Sequence, residues 1–203
     1  MTNALHVFQE LMNQTQLSDG LYTYLDEKRV PIDATDLLRW EWVLAVSALD
    51  KYIHDIVRIG MMHQFLGQRS VTEKYNSFRI DMRKYVALSA SPTPQMVFES
   101  EIIRQHNYLA FQSPDKISDA LSYIWTEQHK WDVISSRMAT PISSRDLKTK
   151  LNNIVVRRNQ IVHEGDCFSS NLPLQKQQIN KSDVSDVICF ITELVNAIHV
   201  NII

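Results

Sequence analysis

The stretch VVRRNQIVHEGD, residues 155–166, places Arg157, Arg158, Asn159, His163, Glu164 and Asp166 in one short segment. Those residue types suit phosphate chemistry. An arginine grips phosphate oxygens through two parallel N–H donors and keeps its charge at any working pH. A histidine in the last turn of a helix sits at the negative end of the peptide dipole, where it can take up or release a proton near neutrality. RNA brings its own nucleophile, the 2′-hydroxyl. Cutting it requires a base for that hydroxyl, an acid for the leaving 5′-oxygen and a positive charge on the phosphorane between them. One Arg and one His supply much of this without a metal. Arg158 and His163 are five apart, about 140° around an ideal helix, whereas Asn159 and His163 are four apart and share a face. A single copy of the motif therefore makes a thin site, and two copies facing each other make a fuller one. The spacing by itself is weak, because RIGMMH, Arg58 to His63, satisfies it too.

These residues need a helix to hold them. Ser143 or Ser144 is the expected N-cap and Gly165 the stop. Ile154, Val155, Ile161 and Val162 are expected on the buried side. The same helix carries Arg145, Lys148, Lys150, Arg157 and Arg158 against Asp146, a local basic strip suited to a phosphate backbone. The bland reading is a helix-end histidine beside solvated arginines.

Around this helix the pattern repeats near 3.6 residues and does not alternate. A short helix is expected over Ala4–Gln14, then a loop through LSDGLYTYLDEKRVPID. A long helix follows from Thr35 to Phe65, capped by Asp33 or Thr35, with Leu38, Trp42, Ala45, Leu49, Ile53, Ile56 and Val57 inward and Gly67 at its end. Val71–Leu88 is a weaker helix with Thr72 as cap, and SASPTPQ is a loop. A further helix should reach Phe111, and another should start at Pro114 and run to Arg137. The last begins at Ser182, with Val184, Val187, Ile188, Ile191, Leu194, Val195, Ile198 and Ile202 on one face. The fold class expected is an all-α, up-and-down bundle of at least five helices, divided into an N-terminal helix and loop (1–34) and a main helical domain (35–203).

The chain has 203 residues, 44% hydrophobic and 22% charged, enough for a sizeable core. Its net charge of -2 argues against an overall basic coat for nucleic acid while leaving room for a local patch. Cys167 and Cys189 have no metal-ligand spacing and suit a reducing, cytoplasmic setting. The N-terminus has neither the basic start nor the long apolar run of a signal peptide, and no membrane span is expected. His106, His129 and His199 are isolated. Trp40, Trp42, Trp125 and Trp131 read as core, although an exposed one could stack a base.

RRNQIVHEGD resembles the Arg-Asn-x-x-x-His signature of HEPN domains. LLRWEWVLAVSALDKYIHDIVRIGM, Leu37 to Met61, resembles the first long helix of the RiboL-PSP-like branch, which includes RNase LS and PSP-like HEPN proteins. The two stretches stand in the order and separation of that branch. The resemblance implies a homodimer whose two motifs meet in one cleft and cleave RNA without metal or other cofactor. Its common settings are toxin–antitoxin, abortive-infection and phage-defence systems. It assigns the motif Arg to Arg158, the following polar residue to Asn159 and the motif His to His163. Asp50 matches an acidic position that orients the Arg or His, and His54 lies one turn further. Arg157 could stand in for Arg158, and Arg157, Lys150, Lys148 and Arg145 are candidate RNA contacts. An antitoxin or defence-system protein is a further candidate partner. The competing reading is a non-catalytic HEPN-fold module that binds RNA, a nucleotide or a protein.

Overall fold

The computed structural model describes residues 1–167 and 175–202. They form nine helices and no strand beyond one isolated bridge between Cys167 and Lys176. The helices are α1 (Thr2–Glu27), α2 (Thr35–Phe65), α3 (Glu73–Asn76), α4 (Met82–Ala90), α5 (Pro94–His106), α6 (Pro114–Leu121), α7 (Lys130–Ser135), α8 (Ser144–Glu164) and α9 (Lys181–Ile202). The architecture is an all-α bundle.

α2 is the central pillar, because its apolar positions go round most of its circumference. Leu49, Ile53, Ile56 and Val57 are fully buried, and α1, α5, α8 and α9 all pack on it. Gly60 lets the chain after α6 come close: a Cβ there would lie 2.5 Å from Ile124 Cγ2. α9 presents Val187, Ile191, Leu194, Val195, Ile198 and Ile202 to the same core. By length and composition α9 is apolar enough to cross a membrane, but half of that window is buried inside the bundle.

Several of the expected helix bounds need correction. α1 does not stop at Gln14 but continues to Glu27, because Thr15 and Ser18 are buried and their hydroxyls are satisfied. Thr15 Oγ1 donates to Met12 O at 2.7 Å, and Ser18 Oγ reaches Leu37 O at 3.4 Å. The expected boundary at residue 34 falls in the turn between α1 and α2, and Ala4, Phe8 and Met12 of α1 share the main core. The helix from Pro114 ends at Leu121 and resumes only at Lys130, and Val71–Leu88 divides into α3 and α4. Thr72 caps α3 by accepting from Tyr75 N at 3.1 Å.

Candidate active site

α8 starts where Ser143 accepts from Asp146 N at 3.1 Å and ends at Gly165, whose φ of 62° is left-handed. Asp166 follows in the same conformation, at φ 60°. Its N–H returns to Gln160 O at 3.0 Å, satisfying one of the helix's last carbonyls. The two left-handed residues turn the chain back toward α2.

Asp166 then sits fully buried between two arginines. Arg39 Nε and Arg157 Nη2 each donate to Asp166 Oδ2 at 2.8 Å, and Arg157 Nε lies 2.8 Å from Oδ1 as an ion contact not aligned as a hydrogen bond. Arg39 Nη2 donates to Gln177 O at 2.6 Å, Arg157 Nη1 to Gln177 Oε1 at 2.8 Å, and Gln177 N to Asp166 O at 2.7 Å. This clamp ties the end of α8, the start of α2 and residues 175–178 into one unit. Trp42 Nε1 adds a bond to Ile154 O at 3.0 Å, fixing α8 antiparallel to α2. Sequence reasoning missed Arg39 and Asp166 as a pair, since 127 residues separate them. The one available signal was Arg39 three residues before Trp42, on the side of α2 that faces α8.

The clamp distinguishes the two arginines. Arg157 is engaged by Asp166, Gln177 and Gln178. Arg158 falls on the azimuth of the buried Leu147 and Leu151, but near the helix end, where the bundle no longer covers it fully. Among the described residues its Nε is buried without a partner, and Nη1 donates only to its neighbour Asn159 Oδ1, at 3.1 Å. Asn159 and His163 are exposed on the opposite side. Val162, expected inside, is 47% exposed, because the last turn of α8 runs on past the first turn of α2. Ile154 and Val155 are buried, and Ile161 is partly so.

Asp50 lies elsewhere. It is eleven residues up α2 from Arg39, about 16 Å along the axis, while α8 runs the other way. Asp50 Oδ1 accepts from Phe111 N at 2.5 Å, and Oδ2 lies 3.4 Å from Gln112 Nε2. His54 Nε2 is 3.2 Å from Leu109 O and 3.8 Å from Asp50. Both residues hold the segment between α5 and α6 onto α2. Asp50 does not orient Arg158 or His163 of its own chain. The basic strip is divided too. Arg145, Lys148 and Lys150 are all exposed, but Lys150 turns toward α9, 4.7 Å from the Phe190 ring. Among the described residues no three His, Cys, Asp or Glu side chains gather as a metal site would need.

Of the other isolated histidines, His106 is buried, His199 is buried and meets the Tyr52 hydroxyl at 3.0 Å, and His129 is exposed at the start of α7. Trp131 is core, Trp42 and Trp125 are half-buried, and Trp40 is 55% exposed.

A family model described as RiboL-PSP-HEPN matches residues 10–202. None of the curated proteins and none of the solved structures compared with the chain matches it.

Proposed function

The chain belongs to the RiboL-PSP-HEPN family, whose domains are of ribonuclease or RNA-binding type, and we propose that it is a metal-independent endoribonuclease of that family. The observation that supports the proposal is a contrast at one end of α8. Arg157 and Asp166 are held by the clamp, while among the described residues Arg158 bonds only to Asn159 and His163 is exposed. A scaffold needs the first pair and has no use for the second.

In one chain Arg158 and His163 lie about 7.5 Å apart along the axis and about 140° around it. A homodimer resolves this, with the Arg of each protomer working beside the His of its partner. The exposed face of α8 suits such an isologous contact. Asn152, Val156, Asn159 and His163 form a strip without Lys, Arg, Asp or Glu, and Val156 and Val162 offer apolar surface. Arg145 lies five turns from His163 on the same side, about 27 Å away, with Lys148 beside it. These two exposed cations, beyond the stretch given to the dimer contact, are the candidate holds for flanking phosphates.

In the proposed step His163 moves a proton between the 2′-hydroxyl and the leaving 5′-oxygen. Arg158 stabilises the phosphorane charge, and the products carry a 2′,3′-cyclic phosphate and a 5′-hydroxyl. Single-stranded or looped RNA is the substrate, since unpaired nucleotides reach in-line geometry that a stacked duplex resists. The role is cytoplasmic, in a toxin–antitoxin, abortive-infection or phage-defence system, with an antitoxin or defence-system protein as further partner. The test is incubation of the purified protein with end-labelled RNA in chelator, alongside a substrate with 2′-deoxy at the cut position. Cleavage of the first and survival of the second is expected. Protein that binds RNA and cuts none would leave the non-catalytic binding module in its place.

A further inference from the structure

Away from α8, a groove with a cavity of about 390 Å³ runs between α1 and α9. α1 rests along α2 and touches α9 at few places, which leaves the groove open. From the Asp19–Lys181 end to the Phe8–Thr192 end it spans eleven residues of each helix, about 16 Å. Phe8, Met12 and Ile188 supply an apolar wall. Asn13, Gln16 and Ser185 supply neutral polar groups.

Glu41 of α2 lines this groove and is only 3% exposed. Its Oε1 is buried with no hydrogen-bond partner among the described residues. A buried carboxylate oxygen left unpaired costs more than almost any other single defect, so its surroundings call for a donor. The charged groups facing it are Asp19 from α1 and Lys181 from α9. Lys181 Nζ is 2.7 Å from Asp19 Oδ1 and 2.8 Å from Thr23 Oγ1, so that cation is already taken. Two carboxylates and one ammonium leave the cluster one positive charge short when Glu41 is ionised. No acid lines the far end of the groove.

We propose that this groove is a binding site for a primary aliphatic amine, with the ammonium on Glu41 and the hydrocarbon chain along Phe8, Met12 and Ile188. One buried acid selects one cationic head. The apolar wall rewards the alkyl stem, and the missing second acid makes a diamine no better than a monoamine. Burial, with Asp19 nearby, pushes the Glu41 carboxyl up to about 7. An arriving ammonium must displace that proton, so binding releases protons near neutrality and tightens from pH 6 to pH 8.

The experiment is calorimetric titration of the full chain with n-hexylamine hydrochloride, with 1-hexanol and sodium hexanoate as matched controls. One site per chain is expected, with hexanol weaker and hexanoate not binding. Glu41→Gln keeps the volume and removes the charge, and it should weaken hexylamine roughly tenfold or more. Ser185→Trp, at an exposed position on the groove, should block binding with Glu41 intact, and it carries the test if Glu41→Gln fails to fold. Equal affinity for hexylamine and hexanol, full binding by either folded variant, or no saturable binding would overturn the proposal. Cleavage of RNA is not the readout, so the outcome is independent of the ribonuclease reading.

Discussion

Two segments of this chain carry an arginine followed five residues later by a histidine, and their surroundings could hardly differ more. Arg58 on α2 is held by Glu99 and lies 3.4 Å from Asp55, which also pairs with Lys51. His63 is half-buried, and burial lowers its basicity, helped by the positive N-terminus and Arg69. Among the described residues Arg158 on α8 bonds only to the side chain next to it, and His163 is exposed in the final turn. The spacing is the same, so spacing is not what distinguishes a site. An arginine enclosed by carboxylates has spent its donors on the fold. One with open donors can still meet a phosphate.

The widest expected gap between the two segments is in rate. His163→Ala should lower RNA cleavage by about 10²–10⁴-fold, the usual loss of a general acid–base group. Its melting temperature should stay near wild type, because the side chain is exposed. Arg158→Ala should fall in the same range. Arg158→Lys should recover little, since an ammonium lacks the two-pronged donor geometry. His63→Ala and Arg58→Ala should leave the rate per folded molecule unchanged, and Arg58→Ala should melt earlier. Equal rate losses at both segments, or cleavage that survives loss of His163 and Arg158 together, would end the comparison.

The candidate site was legible in the sequence to the extent that its determinants are local. Ser143, Gly165 and the apolar spacing of α8 are local, and they place Arg158 and His163 on one helix end. The fold class was legible for the same reason. What was not legible depends on partners far along the chain. Asp166 resembles any acid after a helix until Arg39 arrives from 127 residues away. Asp50 resembles a site acid until Phe111 claims it. Thr15 and Ser18 look like turn residues, yet burial keeps α1 helical past them. Ile124, Trp125 and Trp131 keep helical spacing across a gap. There the Glu127 side chain accepts from His129 N at 2.7 Å and Ile124 tucks under Gly60.

The next effect down concerns the clamp that makes Arg157 unlike Arg158. Asp166→Ala leaves Arg39 buried with a lost counter-charge, a change that typically costs about 3–5 kcal/mol. Denaturant unfolding should show it, and cleavage should fall with it as the end of α8 loses its anchor. Arg158→Ala should cost far less stability. Gly60→Ala should be intermediate, about 1–3 kcal/mol, from overpacking against Ile124. A clamp variant as stable as wild type would mean that Arg157 is as free as its neighbour.

The smallest expected effect separates the two ends by pH. His106, in the cavity beside Asp50, His54 and Arg58, is buried against Phe78, Phe111 and Tyr123, and among the described residues both its ring nitrogens are without a partner. Burial first, then the nearby His54 and Lys74, holds its pKa at about 4, below the ordinary 6.5. The unfolded chain therefore takes up a proton that the folded chain refuses. The contribution to stability is fully present above pH 6.5 and is lost as pH falls toward 4. Glu41 acts in the opposite direction. Its carboxyl is raised to about 7, so its contribution is present below pH 4.5 and is lost as pH rises through 7. Melting temperature against pH should therefore change slope in His106→Phe, which loses the decline as pH falls from 6.5 to 4, and in Glu41→Gln, which loses the decline as pH rises from 4.5 to 7. Neither substitution touches Arg158 or His163, so the pH profile of cleavage should be the same in both variants as in wild type. A cleavage profile that moves with His106 would place the chemistry at the Asp50 end of α2 and remove it from α8.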